Sequence, residues 1–158
     1  AEVTVVDVLP TLAAGAAQTP AAGTPSVALA EDGTVSVGLT GLAAPTRSTA
    51  AVVIRGEGSQ VSATDTIVAR YTIVSWSGGT VRTTNYGWTA ALGTIDMTDT
   101  LAGLAQGLVD VPVGSRVVLS LPADQARGDE PVAVVVDVLA IVEGGAAPSD
   151  AASAPATP

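Results

Sequence analysis

The sequence GLVDVPVGSRVVLSLP, residues 107–122, decides the fold, because it joins a predicted helix to a predicted strand through a short turn. Residues 99–108 place leucines at helical spacing, so a helix there has one apolar face. Thr98 or Asp99 can cap the start of this helix. Residues 117–121 are mostly apolar and include two β-branched valines, which is typical of a buried strand. The leucines of the helix face are Leu101, Leu104 and Leu108.

Short apolar runs separated by glycine turns predict further strands on both sides of this unit. Residues 49–54 form one such run, and residues 65–74 form a longer one. A third strand is expected after the turn at residues 77–79, and the valine-rich residues 132–138 form the last. We therefore predict an α+β fold in which an antiparallel sheet wraps on one short helix.

The composition of the chain excludes several classes of function. Its 158 residues carry a net charge of −9 and include no lysine, so no basic surface is available for nucleic acid. No apolar run approaches the roughly 20 residues that a membrane-spanning helix needs. The absence of histidine and cysteine removes the usual nucleophile–base pairs. Neither a phosphate-binding glycine loop nor a calcium loop occurs, so we expect no cofactor and no metal.

Both ends of the chain have the composition of flexible spacers. Residues 13–25 and 144–158 are rich in alanine, threonine, proline and glycine, which is typical of the segments that flank exported bacterial domains. We therefore expect an exported protein, at the cell surface or extracellular.

A weak internal repeat bears on the domain organisation. Residues 3–9, VTVVDVL, are similar to residues 133–139, AVVVDVL, although valine-rich strands can resemble one another by chance. The repeat favours two closing strands and hence two domains. The predicted division is a last strand of a truncated preceding domain at 1–10, a flexible linker at 11–25, a lead-in segment at 26–48, the main domain at 49–143 and a disordered tail at 144–158.

The order of several short motifs resembles that of FKBP-type peptidyl-prolyl cis–trans isomerases. The motifs lie at residues 64–72, 88–93, 103–107, 113–116, 119–122 and 135–138. Together they span roughly residues 49–142, and the run at 107–122 is the most specific. The lead-in segment, with Asp32 and Gly33, is similar to that of exported tandem isomerase lipoproteins from actinobacteria, which allows a lipid anchor upstream.

This resemblance implies catalysis of rotation about Xaa-Pro bonds in a pocket with aromatic walls. Tyr71 falls on the family's strand tyrosine and Trp88 on an aromatic residue of a pocket loop. Leu104 replaces the tryptophan of the pocket floor, and Val136 replaces an aromatic residue of the last strand. The pocket candidates are Tyr71, Trp88, Leu92, Leu101, Leu104 and Val136. The positions where the family's phenylalanine, aspartate and loop tyrosine are replaced are Arg82, Thr83 and Arg127.

Most of these residues also have a purely structural explanation. Tyr71 and Trp88 are compatible with core or rim packing, and Arg82 with a solvated strand charge. Trp76 and Tyr86 are expected to be exposed loop aromatics. Residues 93–103 are interpreted as an insertion that alters the rim of the pocket.

Three hypotheses remain open at this point. The first is a weak exported isomerase that assists protein folding, with proline-containing polypeptides as partners. The second is an inactive pseudo-isomerase that binds chains or a neighbouring domain, or acts as a spacer. A deep apolar cavity between Tyr71, Trp88, Leu104 and Val136 would favour the first, and its collapse the second. The third is an unrelated β-sandwich module of the cell surface, without a central helix.

Overall fold

The computed structural model describes residues 13, 15–20, 22–87, 90–126 and 130–142. Among these residues there are nine strands, one α-helix and one short 3-10 helix, Ala123–Gln125. The elements in chain order are β1 (Ala16–Ala17), β2 (Ser26–Leu29), β3 (Val35–Gly38), β4 (Thr49–Arg55), β5 (Thr66–Ser75), β6 (Val81–Thr84), β7 (Gly93–Asp96), α1 (Ala102–Leu108), β8 (Arg116–Leu121) and β9 (Val132–Val142).

An antiparallel sheet of seven strands dominates the described part of the chain. Six of them follow the order β1-β4-β8-β9-β5-β6, and the seventh, β7, pairs with β5. Strand β5 pairs with β9 along its whole length. Its other edge is shared, because β6 pairs with residues 72–74 and β7 with residues 66–69. Strands β5 and β9 therefore form the centre of the sheet.

Strand β9 is buried on both faces, which explains its nearly unbroken run of apolar side chains. Val134, Val136 and Val138 belong to the main core, together with Leu104 and Leu108 of the helix. Val135 belongs to a smaller core on the opposite face of the sheet. Helix α1 thus covers one face, and other elements must cover the second.

The second face is covered by the hairpin of β2 and β3. Val35 of this hairpin is buried against Val118 and Val135 of the sheet. Tyr86, in the connection after β6, joins the same cluster with 3% of its surface exposed. The prediction that Tyr86 is an exposed loop aromatic is therefore wrong; Trp76, by contrast, is half-buried.

Helix α1 begins later than predicted, at Ala102 rather than at residue 99. The side chain of Asp96 accepts hydrogen bonds from the backbone N–H and the hydroxyl of Thr98, which fixes a turn in front of the helix. Leu101 occupies the N-cap position, where no side chain caps the helix. The prediction that Thr98 or Asp99 caps the helix is therefore wrong.

Two glycines bring helix α1 close to the sheet. A Cβ atom on Gly107 would lie 2.4 Å from Cδ2 of Leu119 and 3.0 Å from Cβ of Ala50. A Cβ atom on Gly103 would lie 2.6 Å from Cδ2 of Leu121. The glycines are four residues apart and so lie on one side of the helix, where they permit close packing on β4 and β8.

The α+β prediction is confirmed, since one short helix packs on an antiparallel sheet in the described part of the chain. Each of the strands predicted between residues 49 and 138 is present, and the last extends to Val142. Strands β1, β2, β3 and β7 were not predicted. The predicted strand at 1–10 and the predicted tail at 144–158 lie outside the described residues, and the domain boundaries stay predictions.

Candidate functional site

A cavity of about 350 Å³ opens between the start of helix α1, strand β7 and the helix-side face of β5 and β9. Ile95, Leu104 and Val134 are buried and form an apolar floor. Asp96 and Asp99 are exposed and belong to a polar rim. The complete lining is Tyr71, Ile73, Thr94, Ile95, Asp96, Asp99, Thr100, Leu101, Leu104 and Val134.

Tyr71 is held at this cavity by Asn85. The backbone N–H of Tyr71 donates to Oδ1 of Asn85 at 2.6 Å, and the backbone N–H of Asn85 donates to the carbonyl of Tyr71 at 3.0 Å. Nδ2 of Asn85 donates to the carbonyl of Ala69 at 3.1 Å. Asn85 thus fills the gap between β6 and β7 along the edge of β5, where its side chain takes the place of strand pairing.

The ring of Tyr71 packs against Gly93 at the start of β7. A Cβ atom on Gly93 would lie 3.2 Å from Cε1 of Tyr71 and 2.9 Å from Nδ2 of Asn85. A larger residue at this position would push on both side chains. The hydroxyl of Tyr71 makes no hydrogen bond with any residue that the structure describes, so it is available as a donor to a ligand.

Asp96, on the polar rim, is held in its charged form by Thr98. Oδ1 of Asp96 accepts from the Thr98 hydroxyl at 2.6 Å and from the Thr98 backbone N–H at 2.8 Å. The hydrogen bond from the Thr98 side chain, followed by that from its backbone, holds the pKa of Asp96 below its ordinary value. The rim therefore presents an oriented carboxylate beside an apolar floor.

The structure brings three of the predicted pocket residues together, since Tyr71, Leu101 and Leu104 all line the cavity. Val136 is fully buried in the main core and does not line it. Val134, two residues earlier on the same face of β9, takes that place. Leu92 is half-buried before β7 and does not line the cavity either. Trp88 lies outside the described residues.

The positions assigned to the family's phenylalanine and aspartate lie on strand β6. Arg82 and Thr83 are exposed there and do not line the cavity. Nη2 of Arg82 is 3.7 Å from Oε1 of Glu130, and the carbonyl of Thr83 accepts from the Thr72 hydroxyl. Arg127 lies outside the described residues.

Other kinds of site are not seen in the described part of the chain. Its residues contain no group of three or more His, Cys, Asp or Glu side chains that could hold a metal ion. Its helices include none that is long and apolar enough to cross a membrane.

Sequence comparison finds no relative, since no protein-family model and no curated protein matches the chain. Solved structures do match. A peptidyl-prolyl cis–trans isomerase from Pseudomonas syringae superposes with a TM-score of 0.54 at 16% identity, over 61% of this chain and 76% of that one. FkpA from Escherichia coli gives 0.56 at 18% identity, over 66% and 53%. The N-terminal domain of FKBP42 from Arabidopsis thaliana gives 0.55 at 16% identity, over 63% and 89%.

The chain has an FKBP-like fold. The resemblance predicted from the ordered motifs is thereby confirmed at the level of the fold, and the unrelated β-sandwich is excluded. The FKBP-like domain spans about half of the FkpA chain that it matches.

The FKBP-like sheet also contains a buried charged cluster, on the face away from the cavity. The carboxylate of Asp137, which is fully buried, accepts four hydrogen bonds from the described residues. Nε and Nη2 of Arg116 donate two of them, and the Tyr86 hydroxyl and the Ala13 backbone N–H donate the others. Burial first, and then the charge of Asp137, raise the pKa of Tyr86 well above its usual range. This cluster anchors the connection after β6 to the sheet.

Several cavity residues of the FKBP-like domain were missed from the sequence. Ile73 lies two residues after Tyr71 on the same face of β5, so strand alternation could have found it. Ile95 and Asp96 fall in the segment interpreted as an insertion, where no sequence pattern marked strand β7. Val134 was missed because the alignment placed the relevant position of β9 two residues later.

Proposed function

We propose that the FKBP-like domain binds proline-containing polypeptide segments in the cavity and acts as a weak peptidyl-prolyl cis–trans isomerase. The observation that carries the proposal is the open apolar cavity beside Tyr71, Leu101 and Leu104, between the helix and the sheet of this fold. A structural neighbour from Pseudomonas syringae is described as such an isomerase.

An apolar cavity suits this reaction, because rotation about an Xaa-Pro bond needs no nucleophile. The barrier of about 18–20 kcal/mol comes from the resonance of the planar amide. That resonance separates charge, so surroundings poor in water disfavour the planar ground state relative to the twisted transition state. Ile95, Leu104 and Val134 supply such surroundings, and the free hydroxyl of Tyr71 can donate to a substrate carbonyl.

We expect the activity to be weak, because the cavity walls are mainly aliphatic. Tyr71 is the aromatic residue among the described lining residues. Arg82 and Thr83, which replace the aromatic residue and the carboxylate implied by the resemblance, lie on the exposed strand β6. Less ring surface is then available to hold a prolyl group in the twisted geometry.

The composition supports an exported setting in a bacterium. The Ala- and Pro-rich ends and the net charge of −9 favour a soluble domain that assists folding outside the cytoplasm and does not bind nucleic acid or insert into a membrane. Its partners in this proposal are unfolded proline-containing chains or a neighbouring domain.

The test is exchange NMR on a short peptide with one Leu-Pro bond, in the presence of the full 158-residue chain. We expect cis–trans exchange to be faster than in buffer. Tyr71→Leu, which removes the ring and hydroxyl but retains apolar volume, should abolish most of the acceleration. Trp76→Leu is the matched control, because Trp76 borders a different groove. Equal loss in both variants would contradict the proposed site.

A second function, binding without catalysis, is supported by the same aliphatic walls. In that case the peptide would shift the amide resonances of cavity residues such as Ile95 and Leu104 while its exchange rate stayed at the value in buffer. A well-folded protein that neither shifts nor accelerates exchange would act as a spacer, and both binding proposals would fall.

A further inference from the structure

The rim of the cavity carries two carboxylates, and no described residue supplies a cation to them. Asp96 and Asp99 both line the cavity, and neither forms an ion pair with a residue in the described part of the chain. The chain has no lysine and no histidine, and none of the described arginines lines the cavity. These carboxylates border the site already described and do not form a site of their own.

The two carboxylates belong to a single turn and keep acceptor atoms free. The backbone N–H of Asp99 donates to the carbonyl of Asp96 at 3.0 Å, which closes the turn. Oδ1 of Asp96 is occupied by Thr98, whereas its Oδ2 accepts no hydrogen bond from a described residue. The Asp99 carboxylate has no such partner either. Three carboxylate oxygens are therefore free to accept from a bound chain.

We propose that the cavity selects proline-containing segments with lysine or arginine close to the proline, and that Asp96 and Asp99 determine this specificity. The inference rests on the proposed function. The apolar floor takes the prolyl ring and its apolar neighbour, while a flanking ammonium or guanidinium group reaches the rim, where the hydrogen bonds are charge-assisted.

The size of the effect follows from the exposure of the rim. Ion pairs between exposed groups are weak and are screened by salt, so the preference should be modest and dependent on ionic strength. We expect a lysine-flanked peptide to bind about threefold to tenfold more tightly than a glutamate-flanked one at low salt. The difference should shrink towards one in about 0.5 M salt, where the screening length is only a few ångströms.

The experiment titrates the full ¹⁵N-labelled chain with three peptides that share a central Leu-Pro and differ in the flanking residues, which are lysine, glutamine or glutamate. The test variant is the double substitution Asp96→Asn and Asp99→Asn, which retains the Oδ1 acceptor for Thr98. The control is Asp32→Asn. Asp32 has the same contacts with Thr34 as Asp96 has with Thr98, but it lies in the β2–β3 turn and does not line the cavity.

We expect the lysine-flanked peptide to bind most tightly and the glutamate-flanked peptide most weakly. The double variant should bind all three peptides with similar affinity, whereas the control should retain the order. Equal affinities in the unsubstituted chain would overturn the proposal. The same loss of order in Asp32→Asn would also overturn it, because the net charge of the chain, and not the rim, would then determine the preference. If no peptide shifts any cavity resonance, the proposed function itself fails. If all peptides bind alike, only the specificity fails.

Discussion

The guanidinium of Arg116 and the carboxylate of Asp137 meet in register across β8 and β9, with Nε 2.6 Å from Oδ1 and Nη2 2.7 Å from Oδ2. Asp137 is fully buried and Arg116 is 8% exposed. Burial alone would lower the pKa of Arg116, but the hydrogen bonds and charge of Asp137 outweigh it and raise that pKa. Each group therefore depends on the other for its charge to be tolerated inside the protein.

Asp137→Asn should destabilise the domain by about 3 to 5 kcal/mol, because it leaves a buried guanidinium without its counter-charge. Urea unfolding followed by circular dichroism measures the change. The double variant Arg116→Met and Asp137→Leu should lose less than the single one, since it removes both charges. A double variant that is less stable than Asp137→Asn would mean that the pair contributes more than mutual neutralisation.

Tyr86 should make stability fall at high pH. Its pKa is raised above the ordinary value of 10.0 in the folded protein. Above pH 10 the Tyr86 hydroxyl loses its proton in the unfolded chain and keeps it in the folded chain. The stability that this hydroxyl contributes below pH 10 is therefore lost as the pH rises. We expect up to about 1.4 kcal/mol per pH unit between about pH 10 and 11.5, measured by urea unfolding. Tyr86→Phe should remove this slope, and a slope unchanged in Tyr86→Phe would assign it elsewhere.

Leu104→Ala should cost about 2 to 5 kcal/mol, because Leu104 is 6% exposed and packs in the main core. We expect the lower half of that range, since the side chain borders an open cavity and its loss enlarges that cavity rather than creating a sealed void. Leu101→Ala, at the half-buried N-cap, is the matched control and should cost less. A denaturation midpoint that is the same for both variants would argue against this packing.

Gly107→Ala should destabilise the domain although alanine favours helices. The gain in helix propensity is about 1 kcal/mol. The new methyl group would lie 2.4 Å from Cδ2 of Leu119, which is fully buried and cannot move aside without strain. We expect a net loss of about 1 to 3 kcal/mol in thermal or urea unfolding. Gln106→Ala, on the exposed side of the same helix, should be near neutral; a stabilised Gly107→Ala would show a looser helix–sheet contact.

Asn85→Ala should loosen Tyr71, because the partly buried edge of β5 loses the acceptor for the Tyr71 N–H and the donor for the Ala69 carbonyl. Unmet backbone groups of this kind cost about 1 to 3 kcal/mol each. Asn85→Asp keeps the acceptor and loses only the donor, so the protection of its Tyr71 amide should lie between that of Asn85→Ala and that of the unsubstituted chain. Hydrogen exchange of the Tyr71 amide measures this order, and protection that is equal in all three proteins would contradict it.

Much of the sheet could be predicted from local pattern, because β5, β8 and β9 combine β-branched residues with bounding turns. Helix α1 was predicted from its leucines, yet its start was misplaced, since Asp96 competes for the Thr98 backbone and forms a turn instead. Strands β2, β3 and β7 are only four residues each, too short to give a periodic signal.

The candidate site was harder to predict, because its geometry depends on contacts between distant residues. The same limit applies on the opposite face of the sheet, where Tyr86 looks like a loop residue by sequence but is buried with a hydrogen bond to Asp137, 51 residues away. The cavity side of β9 is presented by Val134 rather than Val136, a shift of two that preserves the face and so leaves no trace in the alternation pattern. The placements of Tyr71 and Leu104 at the cavity came from the resemblance.

The central position of β9 has a consequence for synthesis of the protein. The ribosome makes β5 and β8 before β9, yet these two strands meet only through β9, which pairs with both. A growing chain therefore holds two incomplete pieces of sheet with unpaired edges until the last of these strands emerges. We expect compaction to occur in one late step, detectable as protease resistance that arises only in nascent chains long enough to expose residue 142.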